Sequence, residues 1–176
     1  MMGSLQLVPV LSRLDLEAEP VAGALRTWPH ADGVRVAEID PELADTAAFC
    51  QAYGVGPDVS ANCVIVAGKR EGQVRYAAAV VLATTRADVN GVIRRQLDVR
   101  KASFAAMDTA VAETGMRYGG ITPIGLPGDW PILVDAAVTG TADVIIGSGL
   151  RGSKLALPGK ALAELPGALV VDGLAG

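Results

Sequence analysis

The chain has 176 residues, 51% of them hydrophobic and only 4% aromatic, which suits one domain with a core of Val, Leu, Ile and Ala. A net charge of −4 argues against broad, non-specific binding of nucleic acid, and no apolar run reaches the roughly 18 residues that span a bilayer. Isolated cysteines (Cys50, Cys63) and a single histidine (His30) exclude a disulfide framework and a multi-histidine metal site. With no signal-peptide pattern from Met1 to Arg13, a cytoplasmic setting is expected.

Residues 5–27 read as a helix, with Leu14, Ala18, Val21, Ala22 and Leu25 at helical spacing. Gly33 to Ile39 alternates as a strand. Asp40 then caps a helix that has Pro41 in its first turn, runs to Tyr53 and ends at Gly54. Two β-rich runs, 61–67 and 74–82, flank Gly68-Lys69-Arg70-Glu71-Gly72 and predict an antiparallel hairpin. A helix over 86–97, a strand near 101–104 and a helix from Met107 to Thr114 follow. Strands are expected at 131–135, 143–147 and 153–157, a short helix near Pro158, and a last strand from Ala168 to Val171. Many strands are sequence neighbours. The expectation is therefore a single α+β domain over 1–176, with a curved, mixed, partly barrel-like sheet and surrounding helices.

The densest motif is Gly119-Gly120-Ile121-Thr122-Pro123-Ile124-Gly125. Closely spaced glycines expose backbone N–H groups that can surround a small polar group, and the proline fixes the exit of the loop. Gly147-Ser148-Gly149-Leu150-Arg151-Gly152 matches a dinucleotide fingerprint in spelling only. That fingerprint must open a helix, whereas Lys154 to Leu157 reads as a strand and Pro158 follows. The same segment fails as a phosphate-binding P-loop, because Ser153 stands where the lysine belongs. Basic residues gather at Arg94, Arg95, Arg100 and Lys101, and again at Arg151 and Lys154; by themselves they read as solvated faces. By itself His30 reads as a solvated or packing histidine and Cys63 as a buried structural thiol.

From about Trp28 to Asp172 these blocks, in this order, resemble the YbaK family of aminoacyl-tRNA deacylases, which includes the editing domain inserted in bacterial prolyl-tRNA synthetases. The resemblance rests on Trp28-x-His30, the alanine-rich helix ending at Tyr53-Gly54, and Val80-Val81-Leu82-Ala83-Thr84. It rests most on Met107 to Pro123, then on Ile146 to Gly152 and on Leu155 to Leu165. It implies hydrolysis of the ester of a mischarged tRNA carrying a small amino acid, by a stand-alone editing enzyme. The partner implied is the acceptor end of aminoacyl-tRNA, with an aminoacyl-tRNA synthetase as a further one. No cofactor, metal, membrane or DNA is implied. The implied catalytic positions are Gly119, Gly120, Ile121, Thr122, Pro123 and Asn62, with main-chain N–H groups of the loop facing the ester carbonyl. A ribose hydroxyl of the substrate is implied to assist water. Trp28, His30, Cys63, Asp135, Gly147, Ser148 and Gly149 are the implied substrate-binding positions. Asp135 is equally readable as a polar residue closing a strand.

The sequence departs from the family in one place. Where the family has Lys-Thr in the strand before the hairpin, this chain has Asn62-Cys63. Lys69 falls in the expected turn at the far end and cannot replace the lysine. An amide donates hydrogen bonds but carries no charge. Two readings stay open: an active deacylase, or a non-catalytic module of the same fold that binds tRNA ends or a small ligand.

Overall fold

The structure, a computed structural model, describes residues 2–176. The helix expected over 5–27 is confined to α1 (Glu19–Thr27). Upstream, Val8–Pro9 forms a short strand, β1, and Val10–Ser12 and Leu14–Leu16 make 3-10 turns. Pro9 and Pro20 explain the difference. Neither has an N–H, and each disfavours helical backbone in the residue before it. Next comes β2 (Arg35–Glu38). Asp40 does cap a turn, accepting from the Glu42 N–H at 3.0 Å, but that turn is the 3-10 segment Pro41–Leu43. A separate helix, α2 (Thr46–Tyr53), follows and ends on Gly54 in the left-handed region at φ 67°.

β3 (Ala61–Arg70) and β4 (Gln73–Leu82) pair antiparallel over ten residues each. Glu71 and Gly72, at φ 53° and 77°, form the two-residue turn whose twist matches the strands. Lys69 therefore lies within β3, opposite Val74, and not in a turn. The helix expected over 86–97 is a π-helical turn, Val89–Ile93, capped by Asp88 and running into α3 (Arg94–Leu97). β5 (Ala102–Phe104) and α4 (Met107–Thr114) follow as expected. β6 (Ile132–Asp135) leads into an unforeseen short helix, α5 (Ala136–Thr139). β7 (Asp143–Gly147), β8 (Ser153–Pro158), a 3-10 segment over Gly159–Glu164 and β9 (Ala168–Val171) complete the chain.

The fold is mixed α+β with two sheets, where the pattern of strands suggested one. An antiparallel sheet has the order β1-β2-β8-β7, and a mixed sheet the order β5-β3-β4-β6-β9. In the second, β4, β6 and β9 run parallel to one another. The two sheets touch at a parallel bridge between Ser60 and Ile145. Alternation along the strands sends residues to opposite faces. Ile65, Ala78, Val80 and Val134 of the mixed sheet join Val144, Ile146, Leu155 and Leu157 of the other in the main core, with Val21 and Leu25 of α1. The other face of the mixed sheet (Val66, Ala77, Ala79, Leu133) packs on Ile93 and Leu97. Ile145 and Ala156, on the outer face of the antiparallel sheet, lie under Phe49 of α2. Among the described residues no helix is long and apolar enough to cross a membrane.

Glu17, just before α1, is buried, and neither carboxylate oxygen has a hydrogen-bond partner. Burial, followed by the negative charge of Asp15, pushes its pKa from 4.5 up to about 8, with Ser153 opposing. In the unfolded chain the group ionises near its ordinary value. Between about pH 5 and 8 the native state therefore binds the extra proton, and stability falls as pH rises through that window. We expect Glu17→Gln to flatten this fall. Urea unfolding of both proteins across the window checks it; equal pH dependence in the two would refute the assignment.

Candidate active site

A cavity of about 260 Å³ lies where the start of α2, strand β3 and the loop after α4 converge on the β7–β8 hairpin. Asn62 and Cys63 of β3 line it, as do Gly119 and Ile121 of the glycine loop and Gly147 at the end of β7. These are the sequence-predicted positions that the fold brings together. Thr46, at the first turn of α2, donates from Oγ1 to Asn62 Oδ1 at 2.7 Å. With its oxygen so engaged, the amide presents its NH2 group as a donor. The Cys63 thiol is pushed up to about 12 by burial, so it stays protonated and is no nucleophile.

The loop's donors divide. The Gly120 N–H donates to the Arg117 carbonyl at 2.9 Å, and that of Thr122 to Met116 Sδ at 3.5 Å. Two of the four expected donors are thus committed to the chain itself. The N–H groups of Gly119 and Ile121 make no hydrogen bond among the described residues, and both residues line the cavity. Gly119 sits at φ 88°, which only glycine adopts without strain. Thr122 is fully buried with Oγ1 unpartnered, and Pro123 faces a different, apolar cavity.

The glycine-rich turn between β7 and β8 holds the loop from behind. Arg117 N–H donates to the Gly149 carbonyl at 2.8 Å, and Gly149 N–H to the Gly120 carbonyl at 2.6 Å. Gly147 faces Lys154 across the antiparallel hairpin, so no helix follows the turn and the dinucleotide spelling has no structural counterpart. Ser148 is fully buried and accepts from Ser153 Oγ at 2.7 Å and from the Leu150 N–H at 3.3 Å. It closes the turn and does not line the cavity. Gly149, at φ 88°, packs on Ala18 of the approach to α1.

Three other predicted positions lie elsewhere. Trp28 donates from Nε1 to the Glu164 carbonyl at 3.3 Å, with its ring 5.3 Å from that of His30. This pair fastens the end of α1 to the 3-10 segment before β9, because a large ring with one polar atom is satisfied by a single carbonyl. Trp28 borders the apolar cavity with Pro123, and the exposed His30 a third one. Asp135 is buried at the junction of β6 and α5 and does not line the cavity, which fits a residue closing a strand.

Sequence reasoning missed several cavity residues. Lys154 of β8 lines the cavity, is 8% exposed, and sets its Nζ 5.2 Å from the centroid of the Phe49 ring. Burial lowers its pKa to about 8, and Asp45 opposes the shift. A lysine heading the apolar run Leu155 to Leu157 was the available signal. Arg151 ties the cavity's edge together. Its guanidinium donates to Asp45 Oδ1, to the Tyr118 carbonyl and to the Pro41 carbonyl, each at 3.2 Å. Phe104 and Tyr118, both lining the cavity, are 59% and 50% exposed.

Among solved structures this arrangement is similar to a candidate trans-editing enzyme for prolyl-tRNA synthetase, with 24% identity, a TM-score of 0.74, and coverage of 88% of this chain and 94% of that one. It is similar also to a hypothetical protein with 21% identity and a TM-score of 0.77, covering 90% of this chain and 100% of that one. At such identities the likeness is one of fold. No curated protein matches the sequence. The aminoacyl-tRNA editing domain family matches residues 40–165, and the chain belongs to that family.

Gly120 carries a further consequence. A Cβ there would stand 2.5 Å from the Leu150 carbonyl oxygen and 2.8 Å from its carbon, both backbone atoms. The glycine is thus needed for packing, and not only for ligand approach. Gly120→Ala is expected to cost about 1–3 kcal/mol of stability without any ligand present. Thermal denaturation checks it, and an unchanged Tm would show that the turn yields freely.

Proposed function

We propose that this domain acts in trans as a deacylase, hydrolysing the ester between a small amino acid and the terminal ribose of a mischarged tRNA. The observation that carries the reading is one small cavity lined by Gly119 and Ile121, with unengaged N–H groups, and by the Asn62 amide. Such an ester is already activated, so positioning and stabilisation of the carbonyl oxygen supply much of the rate. The N–H groups of Gly119 and Ile121 are the donors proposed for that oxygen. A ribose hydroxyl of the substrate assists water, and no side-chain base is required. Residues such as Ala, Cys or Ser are the proposed cargo. Single methylenes separate substrates by only about 1–3 kcal/mol, which is the reason for a separate editing site. Phe104 and Tyr118 offer exposed rings at the cavity on which terminal bases can stack. A synthetase is the proposed further partner, in keeping with the description of the similar structure.

One observation favours a second reading, a non-catalytic module that binds tRNA ends. Asn62, in the register of the family's lysine, carries no charge, and its oxygen is tied to Thr46. A deacylation assay over a panel of tRNAs mischarged with Ala, Cys and Ser separates the two. Hydrolysis above the enzyme-free control supports the deacylase; tRNA binding without hydrolysis replaces it with the module.

Asn62 should contribute one hydrogen bond to the bound substrate. Asn62→Ala is expected to lower kcat/KM about tenfold, or roughly 1.4 kcal/mol, and Asn62→Lys to retain or raise it. Turnover indifferent to Asn62→Ala would remove this side chain from the site.

A further inference from the structure

Lys154 sits in surroundings that do not explain its charge. Its strand neighbours Leu155, Ala156 and Leu157 are fully buried, and the lysine itself is more than nine-tenths buried. Its ammonium makes no hydrogen bond and no ion pair within 4.0 Å among the described residues. Asp45, the acid that acts on it from the N-cap of α2, is engaged by Arg151 at 3.2 Å. The remaining contact is with the face of Phe49, a weak substitute for an anion. A desolvated cation without a partner is costly to keep. It lines the same cavity as Asn62, Gly119 and Ile121.

We propose that Lys154 is the cationic anchor of this site and binds an anionic oxygen of the aminoacyl-tRNA end. The proposal deepens the deacylase reading and rests on it for the identity of the substrate. It also gives the site the positive charge that Asn62 lacks, from a strand in the opposite sheet. Two oxygens share the required chemistry. One belongs to the terminal phosphodiester and is present in the ground state. The other develops on the ester carbonyl and is present only in the transition state. Loss of the first raises KM; loss of the second lowers kcat with KM unchanged.

The groups facing the ammonium are Asp45 at the N-cap of α2, Cys50 from α2 and Arg151 from the β7–β8 turn. Asp45 and Cys50 favour the charged form, while Arg151 and burial disfavour it. With the pKa lowered to about 8, anion binding should weaken as pH rises through that value. An arginine at this position stays charged and should remove the weakening.

The test uses Lys154→Met, which keeps length and loses charge, and Lys154→Arg. Kinetics on the best substrate of the mischarged panel give kcat and KM, and thermal denaturation with and without sulfate probes the anion site without tRNA. We expect Lys154→Met to lower kcat/KM about ten- to a hundredfold, the split naming the oxygen, and to abolish the Tm rise that sulfate gives the wild type. Lys154→Arg should keep the sulfate response. A wild type that hydrolyses, with Lys154→Met equally active, overturns the proposal and leaves the deacylase standing. A wild type that hydrolyses nothing, yet loses its sulfate response in Lys154→Met, overturns the deacylase and leaves the anion site standing. If Lys154→Met does not fold, protection of wild-type Lys154 from reductive methylation by sulfate decides, and absence of protection overturns the proposal.

Discussion

The cavity exists because two backbones come into direct contact. The loop after α4 and the turn between β7 and β8 are stitched by reciprocal hydrogen bonds between Arg117, Gly120 and Gly149. A side chain on Gly120 would strike the Leu150 backbone, and one on Gly147 would strike the Gly120 carbonyl oxygen at 2.5 Å. Both sides must therefore lack a Cβ for the contact to form. Once it forms, Gly120 has spent its N–H on Arg117, and the neighbouring Gly119 and Ile121 are left at the cavity wall. Packing and chemistry are set by the same glycines, so neither can be altered alone.

Charge is distributed around that contact in an ordered way. Arg151 is partly exposed and engaged by Asp45 and two carbonyls, so it works as a clasp between the N-cap of α2 and the loop. Lys154, three residues on, is buried and unpaired. The paired cation is structural and the unpaired one is left for a ligand. The acidic total of the chain hides this, because net charge averages over surfaces that a ligand never meets.

The strands from β2 onward were legible in the sequence, because period-two alternation and turn residues report local backbone directly, whereas β1 and the division into two sheets were not. Helix ends were less so. Helical spacing over 5–27 counted apolar residues but ignored how Pro9 and Pro20 break the ladder. Asn62, Gly119 and Ile121, singled out from sequence by ordered neighbouring motifs, line one cavity. Trp28 and His30 form as compact a motif, but nothing local says that their rings turn toward the C-terminal segment. Lys154 was counted with Arg151 as a solvated pair. A basic residue in an apolar strand is ambiguous until the helix above it is placed, and it is Phe49 that buries this one.

The Ser60–Ile145 bridge joins the two sheets near the cavity. Asn62 and Cys63 stand on one sheet and Gly147 and Lys154 on the other, so the opposing walls share no extended ladder. Within a sheet, hydrogen bonds hold neighbouring strands about 4.8 Å apart whatever the side chains. Across a packed interface, separation follows the volume of the residues between, and interiors are dense enough to transmit a single methylene. The bore of this cavity is therefore gauged by residues such as Val80 and Leu155, which belong to the shared core and do not line it. Two members with identical linings can then accept different amino acids, and substrate choice in such a domain can drift through mutations that touch no substrate atom.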